Sequence, residues 1–308
     1  MKLFIVALIL SSINILFAQT SIKNITEITN LNEGKYYYPK FSNDDSKIFF
    51  TTENYKGIYY YDLSNKQIKI VNEDIGAGYE YSLTPDDKTI YFRVDNYING
   101  RKYTSIKSKD LSSLEEKTIV NDKRELSSPK VLDNGNIAFN LNDQLKSETA
   151  DDDLKNILSK NDALVFIENS KIALYINGQK RILTPAGNGN YIWPSISPDK
   201  SKLLFTLAGK GTFISDLEGN IISKIGYADA PKWSTDSKWI LYMVDKDNGD
   251  YVTSSDIFVY SVDSGTKLQL TNTSNEFEMY PEFNKTGNKI VCNTYDGKIL
   301  LIELSNEL

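Results

Sequence analysis

Histidine is missing altogether from the 308-residue chain. Without an imidazole there is no Ser-His-Asp or Cys-His nucleophile system, no His-ligated zinc or iron, and no side chain of the kind best suited to proton transfer near neutral pH. Cysteine is nearly absent too. Cys292 is the only one, so no disulfide can form within the chain, and its place in Ile290-Val291-Cys292 reads as a small buried strand residue. Basic charge is in the minority: 35 Lys and Arg against 41 Asp and Glu, net −6, with no basic run or stripe. That balance lacks the electrostatic footprint of nucleic-acid binding. There is no Gly-x-Ser-x-Gly elbow. Gly209-Lys210-Gly211-Thr212 lacks the upstream glycine of a phosphate loop and reads as a hairpin turn.

The N-terminus stands apart from the rest. Lys2 gives a positive start, Leu3 to Leu10 and Ile13 to Phe17 form an apolar stretch broken by Ser11 and Ser12, and Ala18 before Gln19 offers a small residue for cleavage. Residues 1–18 therefore read as a signal peptide, the apolar run being too short and interrupted for a membrane anchor. No Cys follows it for lipid attachment. The expected product is exported, periplasmic or secreted, and not membrane-spanning after cleavage. Its 20 Tyr and 13 Phe, with many Ile and Thr, favour an all-β protein.

Internal repetition carries the fold. Tyr38-Pro39-Lys40-Phe41-Ser42-Asn43-Asp44-Asp45 and its following Ile48-Phe49-Phe50 match Trp193-Pro194-Ser195-Ile196-Ser197-Pro198-Asp199-Lys200 and Leu203-Leu204-Phe205. The unit recurs from Pro231 to Tyr242 and from Pro281 to Val291, and in weaker form from Tyr81 to Phe92 and from Pro129 to Phe139. In each, one apolar position (Phe41, Leu83, Val131, Ile196, Trp233, Phe283) precedes a polar turn and a second apolar strand. A third strand follows, as in Tyr59-Tyr60-Tyr61-Asp62-Leu63, and a fourth ends before Thr, as in Arg181-Ile182-Leu183-Thr184. Six such four-stranded units predict a six-bladed β-propeller over residues 19–308, rather than a sandwich, whose strands share no repeated motif.

These residues resemble the TolB-like propeller repeat, Pro-x-aromatic-Ser-Pro-Asp-Gly-x-x-Ile-x-Phe, best matched by Pro194 to Phe205. The resemblance covers the mature chain and implies the propeller alone, without the N-terminal domain of TolB. Asp45, Asp87, Lys200 and Ser237 stand where the repeat has its turn glycine. The last unit lacks a fourth strand, while Ile22 to Thr29 resembles a fourth strand with no blade before it. Pairing the two would close the ring and remove both open edges. Residues 141–161 read as an insertion in the third unit, with Asp151-Asp152-Asp153 leading into a short helix.

The expected binding surface is the channel mouth, where the loops between units bring Tyr38, Tyr81, Trp193, Tyr227 and Tyr280. Such rings either present a recognition face or wedge between blades. Asp245, Asp247 and Asp250 are spaced somewhat like a calcium loop, or form a hairpin turn around Asn248-Gly249. No catalytic residue can be nominated. The expectation is a non-enzymatic binding or assembly module for a protein, peptide or glycan partner, with no cofactor. The alternative is a metal-assisted propeller enzyme, such as a lyase or lactonase using calcium and carboxylates.

Overall fold

The computed structural model describes residues 21–147 and 162–306. The expected signal peptide and the expected helix near Asp151 lie outside the described residues. Each repeated motif folds as strand, tight turn, strand, and successive strands pair as antiparallel neighbours. β1 (Ile22–Glu27) comes first. Sheet one is β2 (Tyr37–Phe41), β3 (Lys47–Thr51), β4 (Ile58–Asp62) and β5 (Gln67–Asn72). Sheet two is β6 (Ser82–Leu83), β7 (Thr89–Ile98), β8 (Arg101–Asp110) and β9 (Glu116–Lys123). Sheet three has β10 (Lys130–Val131), β11 (Ile137–Leu141) and β12 (Gln144–Ser147), and sheet four β13 (Ala163–Glu168), β14 (Lys171–Ile176) and β15 (Gln179–Leu183). Sheet five is β16 (Tyr191–Ile196), β17 (Lys202–Leu207), β18 (Gly211–Asp216) and β19 (Ile221–Gly226). Sheet six is β20 (Asp229–Trp233), β21 (Trp239–Asp247), β22 (Val252–Ser261) and β23 (Lys267–Gln269). Sheet seven is β24 (Glu278–Phe283), β25 (Lys289–Thr294) and β26 (Ile299–Leu304), completed by β1.

The ring thus has seven blades, not the six that the motif count predicts. The missed blade is sheet four, which among the described residues carries no copy of the motif. Its β13 lies against β16 as β21 lies against β24 and β25 against β2, so β13 holds the second-strand position. The motif belongs to the first strand and its turn, and sheet four shows neither. Arg181 to Leu183 is therefore the outer strand of a blade of its own, not of the third unit. Residues 144–147, expected within the insertion, are the third strand of blade three.

Seven apolar clusters seal the seven seams, and they form a closed cycle. Leu203 and Phe205 pack toward Val165 and Leu174 of blade four, while Leu204 between them packs toward Ile240 and Tyr242 of blade six. This is the two-residue alternation of a sheet buried on both faces. The same alternation sends Cys292 toward Leu241 and Val291 toward Ile48. The remaining seams join Phe49 to Phe92, Ile106 to Phe139 and Leu145 to Phe166. The ring closes where Ile25 pairs with Ile302 and Glu27 with Leu300, as the sequence predicts.

At one end of the blades, the turns between first and second strands are tied to one another. Asp45, Asp87, Lys200 and Ser237 all have left-handed backbone, with φ of 58, 55, 58 and 64°. Glycine adopts that conformation without strain, yet here each side chain bonds to another blade. The Asp87 carboxylate accepts the Asn43 and Asp44 amides at 3.0 and 2.9 Å. Asp45 accepts the Lys285 amide at 3.0 Å and the Asn284 amide group at 3.1 Å. Ser237 Oγ accepts from the Asp199 amide at 3.0 Å. Lys200 reaches past blade four to Asp133, 2.8 Å away.

Candidate functional site

The opposite end of the blades gathers the loops leading into each first strand together with the hairpins joining second to third strands, because antiparallel strands alternate direction. Here four of the first strands are bulged. The pairing register slips between Tyr37 and Lys40, Ile192 and Ser195, Asp229 and Lys232, and Met279 and Glu282. Inside the bulges Tyr38, Trp193, Ala230 and Tyr280 have φ of 54, 51, 47 and 53°. Each precedes a proline that has no ladder N–H to give, which an innermost edge strand tolerates. Tyr38, Trp193 and Tyr280 therefore occupy equivalent backbone places. Left-handed backbone at non-glycine residues costs roughly 1–2 kcal/mol each and is retained where the surroundings impose it.

An arc of tyrosines runs across three blades. The Tyr38 ring meets Tyr280 edge-on at 4.4 Å and stacks on Tyr55 at 4.7 Å. Tyr55 meets Tyr79 at 5.0 Å, and the Arg93 guanidinium lies 4.7 Å over Tyr79. Tyr55 comes from a short 3₁₀ turn, Glu53–Tyr55, in the hairpin between β3 and β4. The Tyr38 amide donates to Asn293 Oδ1 at 3.0 Å, fixing the arc to the blade one and seven seam. Burial, together with Tyr38, pushes the Tyr280 and Tyr55 hydroxyls well above the usual phenol range.

Next to the arc stands a carboxylate pair. Asp229 opens β20 and Asp245 lies on β21, near enough for the Asp245 carboxyl to act on that of Asp229. Burial first, then the Asp245 carboxyl, raise the Asp229 carboxyl to about 6. A carboxyl withdrawn from water beside another acid holds its proton more tightly, and Asp229 is the one so placed. Tyr227 donates to Asp245 Oδ1 at 3.3 Å, and burial and the two carboxylates push its phenol up to about 12.

The residues expected at the mouth divide in two. Trp193 and Tyr227 are exposed, at 38% and 60%, and Tyr38 and Tyr280 are half-buried in the arc. Tyr81 is a wedge: only 4% exposed, it packs with Phe49 between blades one and two beneath the Lys40 ammonium. Asp245, Asp247 and Asp250 do not come together as ligands. Asp247 Oδ1 instead accepts the Gly249 amide at 2.8 Å, and Asn248 Oδ1 accepts the Asp250 amide at 3.1 Å, the bonds of a hairpin turn. Among the described residues no group of three or more Cys, Asp or Glu side chains could hold a metal ion. Sequence reasoning missed Tyr55, Arg93 and Asp229. Asp229 had a signal, its place two residues before Pro231, whereas Tyr55 and Arg93 lie outside the motif.

No protein-family profile matches the chain, and no curated protein matches it. Among solved structures it is similar to an oligogalacturonate lyase in complex with manganese, with a TM-score of 0.50 and 13% identity, covering 91% of this chain and 80% of that one. It also aligns with an oligogalacturonate lyase from Vibrio parahaemolyticus, with a TM-score of 0.49 and 10% identity over 90% of this chain and 79% of that one. At these identities the first likeness supports the propeller fold and nothing finer, and the second adds no argument.

Proposed function

We propose that this is a non-enzymatic, exported binding or assembly module whose tyrosine-rich end receives a protein, peptide or glycan partner. The TolB-like kinship read from the turn motif, and the periplasmic or secreted location, belong to this reading. The observation that carries it is the bulge that sets bulky Tyr38, Trp193 and Tyr280 at equivalent left-handed positions in three blades. Strain of that kind, repeated around one end, supports a built contact surface better than chance loop geometry. Tyrosine and tryptophan combine large contact area with a polar tip, which suits recognition. The test is a glycan array and a crosslinking pull-down from the source envelope, each run with the parent and with a Trp193→Ala/Tyr227→Ala double variant. The reading requires a ligand held by the parent and lost from the variant. Turnover of any ligand so found would overturn its non-enzymatic part.

The alternative is an enzyme, and Asp229 is the observation that favours it: a carboxyl raised to about 6 can take or give a proton near neutrality. A metal-assisted form, of the kind the manganese-bound lyase neighbour suggests, does not fit the described residues. The chain has no His, Asp245 is engaged with Asp229, and Asp247 is engaged in its turn. No step through a metal is derived. Addition of calcium or manganese should leave the melting temperature unchanged, and a saturable rise would restore the metal-assisted reading.

A further inference from the structure

We propose that the axial channel, at the level where the first strands approach their turns, is a binding site for a small oxyanion, a phosphate or carboxylate group held by the ammonium groups of Lys40, Lys130 and Lys232.

Each of these lysines directly follows the motif proline, Pro39, Pro129 and Pro231. They share one register position: Lys40 pairs with Phe49, Lys130 with Ala138 and Lys232 with Leu241. Ser82, Ser195 and Glu282 take the same place in blades two, five and seven, opposite Tyr91, Leu204 and Val291. The innermost strands thus set one ring of polar side chains around the axis of an otherwise acidic chain. Lys40 and Lys130, on different blades, both feel Lys232 and Glu80, and burial leads the causes that lower both ammoniums, Lys40 to about 8.

The ring is only partly neutralised from within, by Glu282 and Glu80. Lys232 pairs with Glu282 at 3.4 Å, and Lys40 donates to the Tyr81 carbonyl at 2.5 Å over that residue's ring. Lys130 has only the Phe166 ring, 5.3 Å away, with no ion pair or hydrogen bond to a described residue. An ammonium partly withdrawn from water and without a directly paired carboxylate favours an arriving anion. Ser195 Oγ is likewise buried with no partner. A cavity of about 240 Å³ opens among Lys40, Asn43, Ser82, Leu83, Val131 and Glu282. Lysine suits a small anion because its ammonium acts as a mobile point charge and demands no planar, two-pronged partner.

The site is independent of the tyrosine-rich end. Calorimetric titration of the full chain with inorganic phosphate and with acetate, at pH 7 and constant ionic strength, tests it. Saturable binding of either is expected, with affinity reduced at least tenfold by Lys130→Met and unchanged by Trp193→Ala. The two titrants separate phosphate from carboxylate recognition. Should Lys130→Met fail to fold, the half-exposed Lys232→Gln decides, with a loss of about threefold or more expected. No saturable binding of either anion by the parent, or variants that fold and bind as tightly as the parent, would overturn the proposal.

Discussion

The two ends of the ring use the same strained backbone for different purposes. At the turn end, Asp45, Asp87, Lys200 and Ser237 hold φ near 60° and direct their side chains into bonds with other blades. At the loop end, Trp193 has the same backbone but exposes its side chain, and the Tyr38 and Tyr280 rings lean on each other. Strain offset by a neighbouring charge-assisted bond is architecture; strain without such an offset marks the surface where a partner would supply the missing contact. The turn end is thus the framework and the loop end the working face.

The framework is tested most severely at its closure, which spans both ends. Deleting Ile22 to Thr29 removes the partner of β26 and leaves an open edge on blade seven. We expect a loss of more than about 3 kcal/mol, beyond most single substitutions, with aggregation on heating. An unchanged melting temperature would mean that the seam carries no stability and that the ring is held by its other contacts. The working face should behave oppositely. Trp193→Ala should shift stability by no more than about 0.5 kcal/mol, as for a surface residue, while weakening partner binding by about 2 kcal/mol. Large destabilisation with binding intact would place Trp193 in the framework.

Much of this division was legible before the structure. The alternation around Phe41, Ile196 and Phe283, the turn residues after them and the unpaired last blade all obey local rules of period and turn chemistry. Blade four was not legible, because Ala163 to Leu183 forms its hairpins through Asn169-Ser170 and Asn177-Gly178 without the first-strand and turn motif that makes the other blades recognisable. The site was half legible. Tyr38, Trp193 and Tyr280 announce themselves by standing before proline, but nothing local distinguishes Tyr81, which holds the proline's own place, as a wedge. The Asp229 and Asp245 pairing joins two strands across a bulge, and spacing along the chain does not encode a register slip.

Glycine substitutions put the comparison into one measurement, with opposite signs at the two ends. Asp87→Gly relieves a left-handed backbone but removes the acceptor of the Asn43 and Asp44 amides. Hydrogen bonds to a charged group outweigh the relief, so a loss of about 1–2 kcal/mol is expected. Ala230→Gly relieves the same strain at φ 47° and gives up only a methyl group. It should be neutral or stabilising by up to about 1 kcal/mol, the relief being partly offset by glycine's greater freedom in the unfolded chain. Chemical denaturation of both variants checks the pair. Equal signs would show that the two ends do not differ in how their strain is offset.

The smallest expected effect concerns the carboxylate pair, and its sign follows from linkage. With the Asp229 carboxyl raised to about 6 by burial and by Asp245, and an unfolded aspartate near about 3.9, the native protein holds a proton between those values that the unfolded chain has released. Stability from this pair is therefore fully present below about pH 4 and lost as pH rises through about 6. Asp245→Asn removes the neighbouring charge while keeping a group that can hydrogen-bond to Asp229. It should return that carboxyl toward the ordinary range and flatten the decline between pH 5 and 7. The change should stay below about 1 kcal/mol, because the pair is only half-buried and water screens it. Urea midpoints of parent and variant at pH 5 and 7 measure it. Parallel profiles would show that the two carboxyls titrate independently, and the enzymatic alternative would then lose the acid–base group on which it rests.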